Sequence, residues 1–276
     1  MFKDIAVSLF SVSEDEPALA AAETLASLSD ADLTAVLLEF EPEPIYTAEA
    51  AMAPTLWAEV LAVAREGFAK ERALLDARVK RSARAIAVRE LPVTSGFAAR
   101  EMAVQARHAD LTVMMRPGDD YRRVAVFEGV LFGSGRPVLL VPPSWKTQGL
   151  GRNVVVAWNG GREAARALAD AAPLLDKADL VTILTVDAQP SDDGVGPAPG
   201  VDIAAHLARR GLKVEVRNLD SLDRDHSDIL MEGAARIGAD LIVMGGYGRA
   251  RLQEWIFGGV TRAIIEEAQV PVFMSH

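Results

Sequence analysis

The sequence predicts an α/β protein built from two tandem doubly wound (Rossmann-like) domains, each a parallel sheet flanked by helices. Apolar stretches typical of buried strands alternate with amphipathic helical stretches, and this alternation favours a parallel sheet with right-handed crossovers. The chain also repeats itself, since 31–36 (ADLTAV) is echoed by 178–183 (ADLVTI) and 109–114 (ADLTVM) by 239–244 (ADLIVM). A period of roughly 130 to 147 residues is too long for a solenoid repeat and indicates a duplicated domain.

The ends of the two halves place the boundary between the domains. Each half closes with an apolar stretch that contains a proline, at 136–141 and at 270–274. The segment 142–151 is rich in proline and glycine and polar at its centre, as is typical of a connection between domains. We therefore predict domains at residues 1–147 and 148–276.

The elements of the second half justify the predicted fold one by one. Apolar strands are predicted at 153–158, 180–186, 213–218, 240–244 and 270–274, and helices at 163–174, 201–209, 227–237 and 260–267. The helix at 201–209 is followed by Gly211, a common helix terminator. The first half has the same order, with strands near Ile5, Leu33, Ile86, Leu111 and Val138. Its second helix is longer, from Pro54 to about Arg81, and could cover the sheet or pack against the other half.

A glycine-rich connection follows the fourth strand of the second half. Gly245, Gly248 and Gly258 have the spacing Gly-x2-Gly-x9-Gly and lie between a predicted strand and a predicted helix. Glycines at such a place let backbone N–H groups approach an anion closely, and a helix N-terminus adds partial positive charge. The spacing matches neither the Walker loop nor the Rossmann fingerprint. It indicates a phosphate-binding site of another kind.

Composition excludes several classes of function. The chain has 276 residues, no cysteine and a formal net charge of −10. Disulfides, thiolate metal sites and cysteine nucleophiles are therefore excluded. The charge divides evenly, because residues 1–147 carry 16 Lys and Arg against 21 Asp and Glu, and residues 148–276 carry 13 against 18. Without a basic arm or block, direct nucleic-acid binding is not expected.

Hydropathy and the N-terminal residues predict a cytoplasmic protein. The first five residues lead directly into a strand-like segment and lack the layout of a signal peptide. No apolar run approaches the ~20 residues that a membrane span needs. We therefore expect a cytoplasmic protein with no membrane partner.

The strand order, the duplication, the glycine motif and the Val-Pro-Val ending at 270–272 together resemble the universal stress protein family in tandem form. The resemblance covers nearly the whole chain, weakly in residues 1–147 and strongly from Gly238 onward. It implies a five-stranded parallel sheet in each domain. In the family's ATP-binding members, Gly-x2-Gly-x9-Gly-Ser/Thr follows the fourth strand, and an arginine such as Arg249 after the second glycine is typical.

The resemblance implies a bound adenine nucleotide, with two departures in the second half. The final Ser/Thr of the family motif is Gly259 here, which removes one hydrogen bond to phosphate, worth ~1.5–3 kcal/mol; Thr261 lies two positions later. Asn159 stands where ATP-binding relatives carry an aspartate. An amide can bind a ribose hydroxyl, but it is a poorer Mg²⁺ ligand than a carboxylate.

The first half departs further from the family motif. An offset of about 130 residues places Met115 at the first glycine position, Glu128 at the third and Gly129 after it. After the first strand, Phe10 or a neighbour stands where the second half has Asn159. A methionine would crowd the backbone, and a glutamate would repel a phosphate. We therefore expect nucleotide binding in the second half only.

The expected ligand is ATP or another adenine nucleotide, with or without Mg²⁺. Asn159 and Gly160 are expected at the ribose or adenine, and a set of backbone groups at the phosphates. That set, with the adjoining Arg249, is Gly245, Gly246, Gly248, Gly258, Gly259 and Val260. No catalytic residue and no metal site formed by the protein is predicted, because the four histidines lie on separate predicted elements and no Gly-x-Ser-x-Gly elbow occurs.

Each candidate also has a purely structural interpretation. The motif glycines could serve only a tight strand-to-helix connection, and Asn159 could serve only a turn. Arg249 and Arg251 could be solvated surface charges. His226 could face the carboxyl edge of the sheet, although a capping or surface role is more common. Trp255 could stack on a base, although packing is the commoner role of such a residue.

The resulting prediction is a non-catalytic, nucleotide-responsive stress protein that acts as a switch, as a homodimer or as a pseudo-dimer within one chain. The alternative is a ligand-free scaffold in which neither pocket binds a ligand and the edge strands pair between copies. A third class, an enzyme that cleaves a nucleotide α/β bond, rests only on shared architecture.

Overall fold

In a computed structural model, the described residues are 1–43, 46–47, 50–51, 54–146, 149–189, 198–247 and 259–276. The strands are β1 (Asp4–Leu9), β2 (Asp32–Phe40), β3 (Tyr46–Thr47), β4 (Ala50–Ala51), β5 (Ile86–Val93), β6 (Leu111–Met115), β7 (Val138–Val141), β8 (Asn153–Ala157), β9 (Leu180–Val186), β10 (Val214–Leu219), β11 (Leu241–Gly245) and β12 (Val272–Ser275). The helices are α1 (Glu16–Ser29), α2 (Pro54–Val79), α3 (Ala98–Ala106), α4 (Tyr121–Gly133), α5 (Arg162–Asp170), α6 (Ala172–Leu175), α7 (Val201–Arg209), α8 (His226–Ile237) and α9 (Gly259–Glu267).

Two five-stranded parallel sheets join into one ten-stranded sheet with the order β10-β9-β8-β11-β12-β7-β6-β1-β2-β5. Within each half the strands are parallel, and the first strand of the half lies between the second and the fourth. The α/β prediction with two doubly wound units is therefore confirmed. The predicted boundary at 147/148 falls on two residues outside the described ranges and stays a prediction.

The two halves meet through their last strands. β12 pairs antiparallel with β7, with Val272 opposite Leu140 and Met274 opposite Val138. The hydrophobic core continues across this junction, since Leu139 of β7 and Phe273 of β12 are both fully buried in the same cluster. The apolar ends of the two halves thus bury each other within one chain.

The sheet has a hydrophobic core on each face, because successive side chains along a strand point to opposite faces and are apolar in both directions. In β8, Val154 and Val156 belong to one buried cluster, whereas Val155 belongs to the other. Strands buried on both faces read as continuous apolar runs, as the sequence from 153 to 158 does. Among the described residues, none of the helices combines the length and apolar character needed to cross a bilayer.

The predicted helix at 163–174 is wrong in one respect, because it is interrupted. α5 ends at Asp170 and α6 begins at Ala172. Pro173 lacks the N–H that would continue the α-helical hydrogen-bond pattern and is tolerated in the first turn of a new helix. The chain therefore restarts as a short second helix.

Candidate functional site

A cavity of about 600 Å³ lies at the carboxyl edge of the second-half strands. It is lined by the ends of β8, β9 and β11 and by the first residues of α5, α8 and α9. β8 is flanked by β9 on one side and β11 on the other, so the direction of strand order reverses here. In open parallel sheets, ligands bind at this kind of crevice.

The structure brings together some of the predicted site residues and separates others. Asn159, Gly245, Gly259 and Val260 all line the cavity. Gly160 and Gly246 are not among its lining residues. The remaining three predicted residues, Gly248, Arg249 and Gly258, lie outside the described part of the chain, as do Arg251 and Trp255.

Asn159 forms the predicted turn and also lines the cavity. Its Oδ1 accepts a hydrogen bond from the backbone N–H of Gly161 at 2.9 Å, as in an Asx turn. Gly160, between them, has φ +70°, a left-handed conformation that glycine adopts without strain. Gly160 therefore shapes the turn, while the exposed Asn159 lines the cavity and keeps its amide nitrogen as a donor.

Close packing explains why glycine occupies positions 245 and 246. A Cβ on Gly245 would lie 2.5 Å from the backbone nitrogen of Ala164, at the start of α5. A Cβ on Gly246 would lie 2.8 Å from Leu131 Cδ2 on α4 of the first half. Gly246 thus packs at the junction between the halves, and its predicted contact with a ligand stays a prediction.

The N-terminus of α9 forms one end of the cavity. Gly259 is the first residue of this helix, and none of the described residues beyond its chain neighbours and its own helix places an atom within 4 Å of the position that its Cβ would take. The first N–H groups of a helix lack intrahelical acceptors and favour an anion. Thr261 also lines the cavity, and its Oγ1 accepts a hydrogen bond from the Tyr247 N–H at 3.4 Å. The Thr261 hydroxyl is the acceptor of that bond, so its own proton is not used in it.

Asp187 and His226 form the other end, next to β9 and α8. Asp187 Oδ2 is 3.0 Å from His226 Nε2, and its Oδ1 accepts from the Ser221 N–H at 2.8 Å. Hydrogen bonds from Ser221, followed by the interaction with His226, lower the pKa of Asp187. Asp187 was missed in the sequence, although it follows an apolar strand directly, as Asn159 does. His226 lies at the carboxyl edge, one of the two positions considered for it.

Glu163 is a second carboxylate in the cavity wall that the sequence did not indicate as a ligand contact. Its side chain is 10% exposed and accepts from Arg162 Nε at 2.6 Å. Burial raises the pKa of Glu163, but the hydrogen bond and charge of Arg162 outweigh it, with a contribution from His276, so the pKa lies below its usual range.

Carboxylates carry the charge of the described cavity lining. Among the described lining residues, the acidic side chains are Glu163 and Asp187, and no lysine or arginine contributes. Carboxylates accept hydrogen bonds from hydroxyl and amino groups but repel phosphate. Within the described ranges, no cluster of three or more His, Asp and Glu side chains is arranged to hold a metal ion.

Side chains fill the corresponding position in the first half. Ile5 pairs with Leu111 as Val154 pairs with Leu241, which places Phe10 at the position of Asn159. Arg123 lies 4.6 Å from the Phe10 ring centroid and 2.6 Å from Asp15 Oδ1. Asp15 is fully buried and accepts hydrogen bonds from the backbone N–H groups of Phe10 and Ser11.

The predicted alignment of the first-half glycine motif is wrong beyond β6. Thr112 pairs with Val138 and Ile242 pairs with Val272, so the offset between the halves is 130 residues at the fourth strand but 134 at the fifth. Glu128 and Gly129 therefore lie inside α4, not before it. A Cβ on Gly129 would lie 2.6 Å from the Ala99 carbonyl oxygen, so this glycine serves the packing of α3 on α4.

A larger cavity, of about 1050 Å³, lies between α1 and α2, away from the carboxyl edge of the second half. Its most buried charge is Arg78, which is 2.8 Å from Glu16 and 2.6 Å from Glu23. The Arg78 charge is thus paired with two carboxylates, and these ion pairs link α2 to α1. We assign this cavity a structural role.

Comparisons with known proteins agree with this architecture. The family model described as "Universal stress protein family" matches residues 151–276, so a domain of that family occupies the second half. Two solved structures are similar over nearly the entire chain. A universal stress protein from Archaeoglobus fulgidus DSM 4304 superposes with a TM-score of 0.69 at 16% identity, covering 98% of this chain and 95% of that chain. A putative universal stress protein from Pseudomonas aeruginosa UCBPP-PA14 gives a TM-score of 0.57 at 14% identity, covering 99% and 93%.

One curated relative shares a short segment. The stress response protein NhaX of Bacillus subtilis (strain 168) is 35% identical over 57 residues, which are 21% of this chain and 34% of that protein. The match therefore spans about a third of the relative's length. The two solved structures are only 16% and 14% identical in sequence to this chain. Their similarity to it therefore concerns the fold alone.

Proposed function

We propose that the second half binds one adenine nucleotide, ATP or an AMP-type ligand, in the cavity at the ends of β8, β9 and β11. The observation that carries this proposal is the pairing of a helix N-terminus at one end of the cavity with hydrogen-bonding side chains at the other. A nucleotide has the same two-part character, with an anionic phosphate end and a nucleoside end. The family match over residues 151–276 supports the assignment.

In the proposed complex, the phosphates lie at the start of α9 and the nucleoside lies toward β9. The backbone of Gly259 and Val260 and the Thr261 hydroxyl are the described donors at the phosphate end. Gly248, Arg249 and Gly258 remain predicted contributors there. Asn159 and Asp187 face the ribose and the base, whose hydroxyl and amino groups a carboxylate and an amide can bind.

In this proposal, Mg²⁺ binds only together with a triphosphate. The Glu163 carboxylate in the cavity wall is ionised at neutral pH, and its lowered pKa keeps it so at mildly acidic pH. It would repel a neighbouring phosphate, and a divalent cation between them would offset that repulsion. A monophosphate carries less charge and needs the cation less.

The proposal restricts binding to the second half because of the first-half side chains. Phe10, Arg123 and Asp15 occupy the corresponding place and contact one another. Removing one partner of a buried charge pair is strongly unfavourable. A ligand would have to displace this group, whereas the second-half cavity is open to it.

Binding is proposed to act as a non-catalytic switch in the response to stress. The names of the related proteins motivate the link to stress. A ligand bound at the start of α9 would bias the surface around it, and no turnover is needed for such an effect. In the scaffold alternative, the edge strands pair between copies. The pairing of β7 with β12 within one chain counts against that form of the alternative.

The test combines mass spectrometry of the ligand released on denaturation with calorimetry of added ATP and AMP. Gly259→Glu places a carboxylate at the start of α9, in open space. Its matched control is Ala125→Glu, at the corresponding position of α4 by the 134-residue offset, where the residue is exposed. We expect one nucleotide per chain in the native protein and the control, and none in Gly259→Glu.

Each other outcome has a definite meaning. Two bound equivalents per chain would overturn the restriction to the second half. Unchanged binding in Gly259→Glu would overturn the placement of the phosphates. A protein that carries no nucleotide and ignores added ATP and AMP would favour the ligand-free scaffold.

A further inference from the structure

Helix α2 extends over 26 residues, whereas its second-half counterpart α7 has 9. From Thr55 to Leu74 no residue of α2 is buried, and the first buried one is Leu75. The later part of the long helix covers the first-half sheet, since Phe68 and Leu75 pack in its core, whereas the residues from 55 to 67 contribute no buried side chain. Three large apolar side chains on it stay exposed, Leu56 at 49%, Val63 at 71% and Leu74 at 51%.

The exposed apolar residues follow the spacing of a coiled-coil seam. We call the following set the α2 stripe: Leu56, Val60, Val63, Gly67, Lys70 and Leu74. Successive members are alternately four and three residues apart, which is the heptad pattern that keeps one face of a helix toward a partner helix. All of these residues are exposed or half-buried, and such a stripe in contact with water indicates an interaction surface.

The α2 stripe is complementary to itself when read in the opposite direction. In an antiparallel pair centred on residue 65, Leu56 faces Leu74 of a second copy, and Val63 faces Gly67. Val63 is the most exposed apolar residue of the stripe. Gly67 has no atom within 4 Å of its would-be Cβ, so it offers the space that a protruding valine needs.

Charge also favours a second copy in this arrangement. Lys70 then lies opposite Val60 and next to Glu59 of the partner helix, and two-fold symmetry repeats the pair. In the single chain, Lys70 contacts Glu66 at 2.8 Å, and both side chains are about 70% exposed. Such an exposed pair contributes little, so Lys70 can exchange it for an intermolecular one.

We propose that the protein forms a two-fold symmetric dimer through antiparallel packing of the α2 stripe on its copy. The interface lies beside β2 and β5, at the far end of the sheet from the candidate ligand cavity beside β8 and β9. It is independent of nucleotide binding. Three heptads of contact make a modest interface, and the dimer dissociates on dilution.

Sedimentation equilibrium over a wide concentration range tests the proposal. Val63→Glu is expected to shift the association equilibrium to monomer, while Ala58→Glu, an exposed substitution on another face of α2, leaves the dimer intact. Because both positions are exposed, neither change should unfold the chain, and thermal unfolding verifies this. A native protein that is monomeric throughout, or a dimer unaffected by Val63→Glu, would overturn the proposal.

Disulfide cross-linking distinguishes an antiparallel pair of helices from a parallel pair. Because the native chain has no cysteine, any disulfide must come from the introduced residues. A mixture of Val63→Cys chains with Gly67→Cys chains is expected to form disulfide-linked dimers under mild oxidation. Neither variant alone should do so. Efficient cross-linking of Val63→Cys alone would show a parallel pair and contradict the proposed symmetry.

Discussion

The phenolic hydroxyl of Tyr247 donates a hydrogen bond to Glu128 Oε1 at 3.0 Å, across the junction between the two halves. Tyr247 follows β11 at the edge of the candidate ligand cavity, whereas Glu128 lies in α4 of the first half. Tyr247 is buried, with φ +50°, a conformation that costs energy in a residue other than glycine. The tyrosine thus connects the candidate ligand cavity to a helix of the other half.

Removing this hydroxyl should loosen the junction. We expect Tyr247→Phe to lower the free energy of unfolding by about 0.5–1.5 kcal/mol, the usual contribution of one hydrogen bond. Urea unfolding measures the change. Tyr121→Phe is the matched control, because Tyr121 is 73% exposed and its hydroxyl can bond to water. Equal effects of the two substitutions would argue against a contribution from the Glu128 bond.

Gly259→Ser should tighten nucleotide binding. The side chain enters open space, and its hydroxyl supplies the phosphate contact that the family motif contains. A hydrogen bond to a charged group contributes about 1.5–3 kcal/mol, so we expect an affinity increase of at least about tenfold in calorimetry. Gly259→Ala controls for the added Cβ. If serine binds no better than alanine, the phosphates do not lie at this helix start.

Gly245→Ala should destabilise the second half. Its Cβ would lie 2.5 Å from the backbone nitrogen of Ala164, and backbone cannot move aside as a flexible side chain can. Overpacking of this kind typically costs about 1–3 kcal/mol, to be measured as a lowered unfolding midpoint. Gly259→Ala, which meets no neighbouring atom, should differ little from the native protein. A stable Gly245→Ala variant would contradict the packing explanation.

Asp187 should make the cavity prefer a 6-amino purine. Its carboxylate only accepts hydrogen bonds, so it favours the amino group of adenine and disfavours the oxygen that replaces it in ITP. We expect the native protein to bind ATP more tightly than ITP and Asp187→Asn to lose most of this preference, because an amide both donates and accepts. Asp220→Asn, a nearby exposed position, is the control.

Comparison of the two nucleotides separates two kinds of failure. Equal affinity for ATP and ITP in the native protein would contradict the placement of the base and leave nucleotide binding standing. No affinity for either nucleotide would contradict the proposed function itself.

The ion pair between Glu23 and Arg78 should contribute to acid sensitivity. Burial raises the pKa of Glu23, but hydrogen bonds from Arg78 and Ser82 outweigh it and lower the pKa. A carboxyl with a lowered folded-state pKa stabilises the fold above its unfolded pKa, and the contribution disappears as the pH falls through the folded pKa.

Urea unfolding at neutral pH and at acidic pH tests this contribution. The native protein should lose more stability on acidification than Glu23→Gln, which has no carboxyl to protonate. Glu41→Gln, at an exposed position, should behave like the native protein. An identical pH response of Glu23→Gln and the native protein would be inconsistent with a role for this pair.

Local residue patterns explain why so much of the fold could be predicted. Strand β9 and helix α7 begin and end at the predicted residues, because apolar periodicity and terminator residues such as Gly211 act within a few positions. Asn159 and Gly245 could be placed in the cavity because adjacent parallel strands end at the same edge. Asp187 also directly follows a strand, β9, and was not among the site residues predicted from the sequence.

The sequence by itself determined the alternation of strands and helices, the duplication and the edge of the sheet at which the candidate cavity lies. These features depend on residues close together in the chain. Only the tertiary structure decided that β7 pairs with β12, that Gly246 packs on Leu131, and that Glu128 lies inside α4 and bonds to Tyr247. Each of these contacts joins residues more than 100 positions apart, and such contacts depend on how the folded halves pack rather than on any local pattern.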